Sequence, residues 1–488
     1  MIKQEHFVRR TKIIATLGPA TDNYEALSGI ISAGVNVVRL NFSHGSKADH
    51  QNRIELIRKI AAEQQKVIGI LADLQGPKIR VANFKEKSVF LKKDSVFTLD
   101  AELDENAGTV EQVGIDYKNL PNDVKPQDIL LLDDGRLRFE VTEVKGPRVI
   151  CRVVTGGTLS NHKGINRLGG GLTAEALTEK DKRDMQFALS LGVDYIAISF
   201  PRNAQDMHNA RRLIQEYSNG ETENFTGLIA KIERAEAIPA IEEIIKACEG
   251  VMVARGDLAV EIGDAEVPMV QKEIIRRARQ LNKPVIIATQ MMESMISNTV
   301  PTRAEVSDVA NAVLDNVDAV MLSAETASGQ YPIAVVEAMA RVCRAVEQQP
   351  RMHLSRHRLE TRFERVDEAI AMATMYTANH LDITAIITLT ESGRTPLWMS
   401  RIRTAIPIYA LSRSVRTLGR MTLYRDVFPI NFDVTQYHYA DINREAIRTL
   451  FNLGLIGAED LIILTTGDYV GVTGASNAMK ILEVDKII

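Results

Sequence analysis

Charged and hydroxyl-bearing side chains collect at the ends of a series of short apolar runs. NVVRLNF (36–42) carries Arg39 and Asn41 and leads into Ser43 and His44, and KVIGILADL (66–74) ends on Asp73 and Leu74. GLIAKIE (227–233) delivers Lys231 and Glu233, and GVMVARGD (250–257) delivers Arg255, Gly256 and Asp257. KPVIIATQ (283–290) delivers Thr289 and Gln290, and VDAVMLSAE (317–325) delivers Ser323 and Glu325. Glu233 and Asp257 close consecutive runs. Two hard oxygen donors, with other positions left to water and substrate, are a common way to hold Mg2+ or Mn2+. Taken singly, each acid reads equally as the partner of its neighbour Arg234 or Arg255 in a surface ion pair. Lys231 precedes Glu233 by two residues, so on a strand both face one space. An ammonium beside a bound metal suits charge building on a transferring phosphoryl group or an enolate oxygen. The competing reading is a buried Lys–Glu pair.

Arg39 and Arg80 are candidate phosphate clamps, because guanidinium meets phosphate through two parallel hydrogen bonds. Asn41, Ser43 and Asp73 offer oxygens for a monovalent-cation cage. Asn and Ser also cap helices, and Ser43 is placed to cap a helix near Asp49.

These groups need a frame that brings six or more chain segments to one place. Together with KIIATLG (12–18) and VDYIAISF (193–200), the runs make eight, each near-continuous in Val, Ile and Leu. That pattern fits strands buried on both faces of a parallel sheet. Between them lie helical patterns at 24–32, 49–63, 235–247, 268–281 and 303–314. Eight strand–helix units predict a (β/α)8 barrel, whose active site gathers at the carboxyl ends of the strands. An open doubly wound sheet is the alternative, but no G-x-G-x-x-G turn follows any of the runs.

One interval breaks the rhythm. Between 75 and 192 the chain reads as short alternating strands, SVFTLD (95–100), DILLLDDG (128–135), LRFEVTEV (137–144) and RVICRVV (148–154), separated by turn signals. This predicts an inserted small β-barrel whose Gly-rich return, 156–172, suits the hinge of a lid. After the barrel, PRMHLSRHRLETRFERVD (350–367) reads as a charged linker. A second set of parallel-type strands follows, ITAIITLT (383–390), IPIYALS (406–412), VFPINF (427–432) and DLIILTTGD (460–468), with helical patterns at 366–380 and 440–453. That is an α/β open-sheet domain. In it, Thr390, Ser392, Gly393, Arg394 and Thr395 place hydroxyls, amides and a guanidinium between a strand and a helix. This is an anion site or, in the plainer reading, a helix cap set by Ser392 or Thr395.

Composition excludes several other roles. Hydrophobic residues make up 45% and charged residues 25%, and the net charge of −4 gives no bulk attraction to nucleic acid or anionic membrane. Cys151, Cys248 and Cys343 show neither zinc-ligand nor C-x-x-C spacing. Met1–Arg10 has no apolar core for a signal peptide, and no apolar run reaches about 18 residues. The expected location is the cytoplasm.

The chain resembles the pyruvate kinase family along nearly its whole length. The resemblance is carried by TKIIATLGPAT (11–21), AGVNVVRLNFSHG (33–45), DLQGPKIR (73–80), KGIN (163–166), AKIERAEAI (230–238), VMVARGDLAVEI (251–262), ATQMMESMISNTVPTRAEVSDVANAVLD (288–315) and MLSAETASGQYP (321–332). It implies phosphoryl transfer from phosphoenolpyruvate to ADP, giving ATP and pyruvate, and a homotetramer. It implies a barrel domain at 1–74 and 173–348, an inserted lid at 75–172 and a C-terminal regulatory domain at 349–488. It implies that Lys231, with Arg39 and Thr289, is catalytic. By the same resemblance Arg255, Gly256, Asp257 and Ser323 contact substrate, and Glu233 and Asp257 hold the divalent ion. Asn41, His44, Arg80 and Lys163 match nucleotide positions, and Asn41, Ser43, Asp73 and the Leu74 carbonyl match the monovalent-cation cage. Thr390 to Thr395 match an effector site.

One position departs. Potassium-dependent members carry Glu where this chain has Lys78, and a tethered ammonium supplies the charge that K+ brings. K+ is therefore expected not to be required. Glu391 beside the effector loop disfavours a ligand with many phosphates, so a sugar monophosphate or AMP is expected there. The alternatives are a Mg2+-dependent aldolase or lyase acting on pyruvate enolates, which needs no lid with Arg80 and Lys163, and a non-catalytic metabolite sensor.

Overall fold

The computed structural model describes residues 8–218, 226–352, 362–468, 474 and 476–488. All eight apolar runs form strands, Lys12–Thr16, Val37–Asn41, Gly69–Asp73, Tyr195–Ile198, Gly227–Ile232, Gly250–Ala254, Val285–Ala288 and Ala319–Leu322. They are parallel and closed into one barrel, each hydrogen-bonded to its sequence neighbours and the first to the last. Their side chains are buried almost throughout, which is why the runs lack the alternation of a half-exposed strand.

Helix starts carry the expected chemistry. Asn23, Ser46, Thr178, Asn203 and Thr302 each accept a hydrogen bond from the third residue of the following helix. Ser46, not Ser43, caps the helix Lys47–Glu63, because its partner Asp49 lies three residues on and closes a reciprocal capping box. The helical pattern at 235–247 splits into a short turn, Ala235–Ala237, and a helix, Ile241–Lys246, because Pro239 between them lacks an N–H.

The insertion after strand three builds its own core around Phe97, Leu99, Leu130, Phe139, Val141 and Val153. Its ladder is a six-stranded sheet and a two-stranded ribbon, Ser88–Leu91 with Gly157–Ser160, tied by single bridges at Arg80–Gly164, Val81–Ile115 and Phe84–Gly108. The segment 79–82 closes the six-stranded sheet into a small barrel: Val81 N donates to the Lys163 carbonyl and Ile165 N to the Ile79 carbonyl at one edge, and Ala82 N donates to the Gly114 carbonyl and Asp116 N to the Arg80 carbonyl at the other.

The linker pattern at 350–367 falls partly on 353–361, outside the described residues. Beyond it stands a five-stranded sheet in the order Val427–Asn431, Ile408–Ser412, Ala385–Leu389, Leu461–Gly467, Ser476–Glu483. The first four are parallel and the last is antiparallel. This edge strand has no counterpart among the sequence expectations, since half of its residues are exposed and only one is buried, and it shows no apolar run.

The sheet's helical layer seals the amino-terminal end of the barrel. Ile14, Leu71, Tyr195 and Met252 of the barrel share one core with Met375, Met399, Leu418 and Met421. A buried ion network crosses this contact. Arg401 pairs with Asp318 through both carboxylate oxygens, Arg425 reaches Glu347 and Asp426, and Lys12 Nζ donates to the Val427 carbonyl at 2.5 Å. The opposite, carboxyl end of the barrel is left facing the lid. No helix among the described residues is long and apolar enough to cross a membrane.

Candidate active site

At that open end, strand five carries Lys231 and leads directly into Glu233. Lys231 Nζ lies 3.1 Å from Glu233 Oε1 and 3.1 Å from Asp73 Oδ1, which comes from strand three. Its third bond goes to Ser199 Oγ at 2.8 Å, just past strand four. Asp73 in turn accepts from Arg39 of strand two, Nε and Nη2 both 2.6 Å from Oδ2. Arg39 Nη1 reaches Thr16 Oγ1 of strand one at 3.0 Å. Residues from five consecutive strands therefore share one buried polar network.

The charges shift one another. Burial alone pulls Lys231 down, but Asp73 and Glu233 more than offset this and hold its pKa above the ordinary lysine value. Burial likewise works against the Asp73 carboxylate, yet Lys231 and Arg39 overcome it and keep its pKa low. Glu233 goes the other way. Burial pushes it up to about 7, because Lys231 offsets only part of the cost while Asp257 and Asp73 add to it.

Asp257 sits in the first turn of the helix Arg255–Ile262, which begins directly where strand six ends. Its Oδ1 accepts from Lys78 Nζ of the lid's first segment at 3.0 Å. Neither proposed metal acid pairs with its neighbouring arginine. Arg234 instead donates to the carbonyls of Leu172 and Ala174. Arg255 binds Asp308 Oδ2 and the Thr289 carbonyl, both at 2.6 Å. The surface ion-pair reading of Glu233 and Asp257 is therefore not what forms, whereas the buried Lys231–Glu233 pair is. Among the described residues no cluster of three or more His, Cys, Asp or Glu makes a metal cage. A divalent ion would have these two carboxylates as its acidic ligands, and a buried acid whose pKa has climbed for want of positive charge fits such an ion.

Thr289 and Gln290 both have left-handed backbone, φ 68° and 54°. Such strain in β-branched Thr persists only where its surroundings impose it. Here Thr289 Oγ1 accepts from the Gly256 amide at 3.0 Å and donates to the Ala288 carbonyl at 2.6 Å. The Ser323 amide donates to Glu325 Oε2 at 2.6 Å, and Glu325 Oε1 accepts from the Met292 amide. Glu325 thus ties the ends of strands seven and eight together.

The match to family models is as broad as the architecture. Residues 8–336 match the barrel domain of pyruvate kinase, and residues 368–482 match its alpha/beta domain.

The chain belongs to the pyruvate kinase family.

It is 56% identical over 482 residues to pyruvate kinase II of Salmonella typhimurium, covering 98% of this chain and 99% of that one. It is 53% identical over 469 residues to pyruvate kinase of Haemophilus influenzae, covering 94% and 96%. Its fold superposes on the crystal structure of a pyruvate kinase from Cryptosporidium parvum with a TM-score of 0.90, 33% identity, and coverage of 98% and 96%. Three of the four expected cage positions, Asn41, Asp73 and the Leu74 carbonyl, already have protein partners. Asn41 Oδ1 accepts from the Ser43 amide at 3.1 Å, and the Leu74 carbonyl accepts from Ser199 Oγ at 2.7 Å. His44 is exposed on the loop after strand two. Arg80 and Lys163 lie side by side at the base of the lid, through the Arg80–Gly164 bridge, and Lys163 Nζ is 2.7 Å from Asp133 Oδ1.

The loop Thr390–Thr395 borders a cleft of about 230 Å³ at the carboxyl ends of the C-terminal strands, lined by Thr390, Glu391, Ser392, Thr395, Arg413 and Lys480 among others. It opens where the strand order reverses, between Ala385–Leu389 and Leu461–Gly467. Gly393 and Arg394 are not among its lining residues. Neither Ser392 nor Thr395 caps the helix Arg394–Met399. Gly393 holds the cap position at φ 76° and donates its amide to Thr390 Oγ1, while Thr395 Oγ1 pairs with Ser476 Oγ. Glu391 is partnered by Arg413 at 3.2 Å.

Two site residues escape the sequence reading, Thr16 and Ser199. Each lies near the end of an apolar run, where a lone hydroxyl is common, and only the folded strands show its partners.

Proposed function

We propose that the barrel rim around Lys231, Glu233 and Asp257 carries the reaction of the family, transfer of the phosphoryl group of phosphoenolpyruvate to ADP to give ATP and pyruvate. The observation that supports this most is the buried Lys231 ammonium held 3.1 Å from Glu233 at the carboxyl end of the barrel. An oxygen of the ADP terminal phosphate attacks phosphorus, the bond from phosphorus to the enol oxygen breaks, and its electron pair stays on that oxygen. Positioning and electrostatics supply most of the acceleration for such a transfer. Lys231, kept charged by Asp73 and Glu233, faces the negative charge as it grows. Arg39, braced by Asp73 and Thr16, directs its guanidinium to the phosphoryl group. The Gly256 amide region and Thr289 receive the carboxylate, with Arg255 bracing the Thr289 turn and Ser323 closing the neighbouring rim. The enolate then takes a proton at carbon and leaves as pyruvate.

Glu233 and Asp257 would hold Mg2+ or Mn2+, which when bound supplies Lewis-acid charge neutralisation. His44 and Asn41 on the rim, with Arg80 and Lys163 on the lid, make up the nucleotide side. Lys78 stands in for the charge of K+, so the cage of Asn41, Ser43, Asp73 and Leu74 needs no monovalent ion. The working division is barrel 1–74 and 173–348, lid 75–172 and regulatory domain 349–488. The domain at the carboxyl end takes a sugar monophosphate or AMP at Thr390, Ser392, Gly393, Arg394 and Thr395. The assembly is a homotetramer in the cytoplasm.

The test is ATP formation from phosphoenolpyruvate and ADP, run beside consumption of pyruvate with an aldehyde acceptor. ATP formation with no aldol activity is expected. The reverse pattern moves the chain to the enolate lyases.

A further inference from the structure

We infer that Ser199 is a positioning residue for Lys231, fixing where the ammonium stands before and during transfer. The inference rests on the proposed catalytic role of Lys231. Strand register places the residue. Ile198 pairs with Ala230, so the next residue, Ser199, falls beside Lys231, and two positions earlier Ala197 pairs with Asp73, which keeps the Leu74 carbonyl within reach of the serine side chain. Ser199 is 1% exposed.

A serine hydroxyl has one proton to give. The Leu74 carbonyl takes it at 2.7 Å, with Asp73 Oδ1 farther off at 3.4 Å. That commitment turns the oxygen lone pairs toward Lys231 Nζ at 2.8 Å. The ammonium then has three protons and three acceptors, Ser199 Oγ, Asp73 Oδ1 and Glu233 Oε1. Two of the three have other work. Asp73 also binds Arg39, and Glu233 is a proposed metal ligand. Ser199 is the neutral acceptor with no second charge to answer, so it keeps the ammonium in place when Glu233 is drawn elsewhere.

The chain packs tightly over the serine. Gly76, in the lid's entry segment at φ 68°, packs so closely that a Cβ there would stand 2.7 Å from Ser199 Cβ. The Gly76 amide is pinned to Asp181 Oδ1 at 3.0 Å. The next residue completes the arrangement. Phe200, at φ 57°, donates its amide to Glu233 Oε2 at 3.0 Å. The end of strand four therefore holds both members of the Lys231–Glu233 pair, through a side chain on one and a main-chain amide on the other.

The experiment compares Ser199→Ala with the parent enzyme in two backgrounds, wild type and Lys231→Met. In the wild-type background kcat is expected to fall ~10–100-fold while KM for phosphoenolpyruvate moves less than about three-fold. In the Lys231→Met background the serine change is expected to cost nothing further, because its effect runs through the lysine. An equal loss in both backgrounds, or an unchanged kcat in the first, overturns the inference. Full turnover by Lys231→Met alone would instead overturn the reading of Lys231. Should the alanine variant fail to fold, Ser199→Cys fills the same space, accepts hydrogen bonds poorly and carries the same expectations.

Discussion

Lys78 Nζ lies 3.0 Å from Asp257 Oδ1, so the lid's first segment places a positive charge directly on a proposed metal ligand of the barrel. The bond is part-exposed and crosses the hinge, which makes it a local electrostatic device more than a source of stability. Turnover in tetramethylammonium buffer should match turnover in KCl at equal ionic strength. Lys78→Glu should restore dependence, with KCl raising turnover by ~10-fold or more, since an acid facing Asp257 leaves the site short of positive charge. Strong stimulation of the wild type by KCl contradicts this.

Asp194 lies at the contact between barrel and C-terminal domain. Its carboxylate accepts from the Ile70 amide at 2.8 Å, and burial raises its pKa to about 7 against the pull of Arg416, Arg58 and Arg420. In the unfolded chain a carboxyl titrates near 3.9. Between those values the folded form keeps a proton that the unfolded form has lost, so its contribution to stability is full below about pH 4 and is lost as pH rises toward 7. Asp194→Asn keeps the acceptor for Ile70 and removes the titration. Its thermal midpoint should exceed that of the wild type by more at pH 8 than at pH 5. A constant difference across that range counts against the raised pKa.

The Arg401–Asp318 pair is almost fully buried, at 2% and 1% side-chain exposure. Removing one partner strands the other charge in a dry contact. Asp318→Asn should cost about 3–5 kcal/mol, seen as a lower denaturation midpoint.

Arg394 lies on the proposed effector loop between Gly393 and Thr395; it is not among the residues lining the cleft, so its expected effect is on the charge and shape of the loop. Arg394→Ala should raise the sugar monophosphate concentration for half-maximal activation by about ten-fold, measured in phosphoenolpyruvate saturation curves. Activation by a sugar bisphosphate at lower concentration than any monophosphate contradicts the assignment, since Glu391 stands beside the loop.

Much of the barrel is legible in the order of residues, because a strand buried on both faces writes its burial into an unbroken apolar run. Lys231, Glu233, Asp257 and Thr289 are visible for the same reason, as polar residues interrupting the ends of such runs. Contacts between strands are not visible in this way. Nothing in the order of residues says that Arg255 turns its guanidinium to Asp308 and the Thr289 turn, or that Lys78 reaches Asp257 across 179 positions. The edge strand Ser476–Glu483 escapes because an exposed edge needs little apolar surface. Ser199 escapes because serine is an ordinary residue at a strand end, and its partners are set by register alone.

The most direct measurement is the rate of ATP formation from phosphoenolpyruvate and ADP by the wild-type enzyme and by Lys231→Met under saturating substrates. Loss of the buried ammonium should lower kcat by ~10²–10³ with the fold intact. A Lys231→Met enzyme that turns over at the wild-type rate would show that the charge on the enol oxygen is met by some other group.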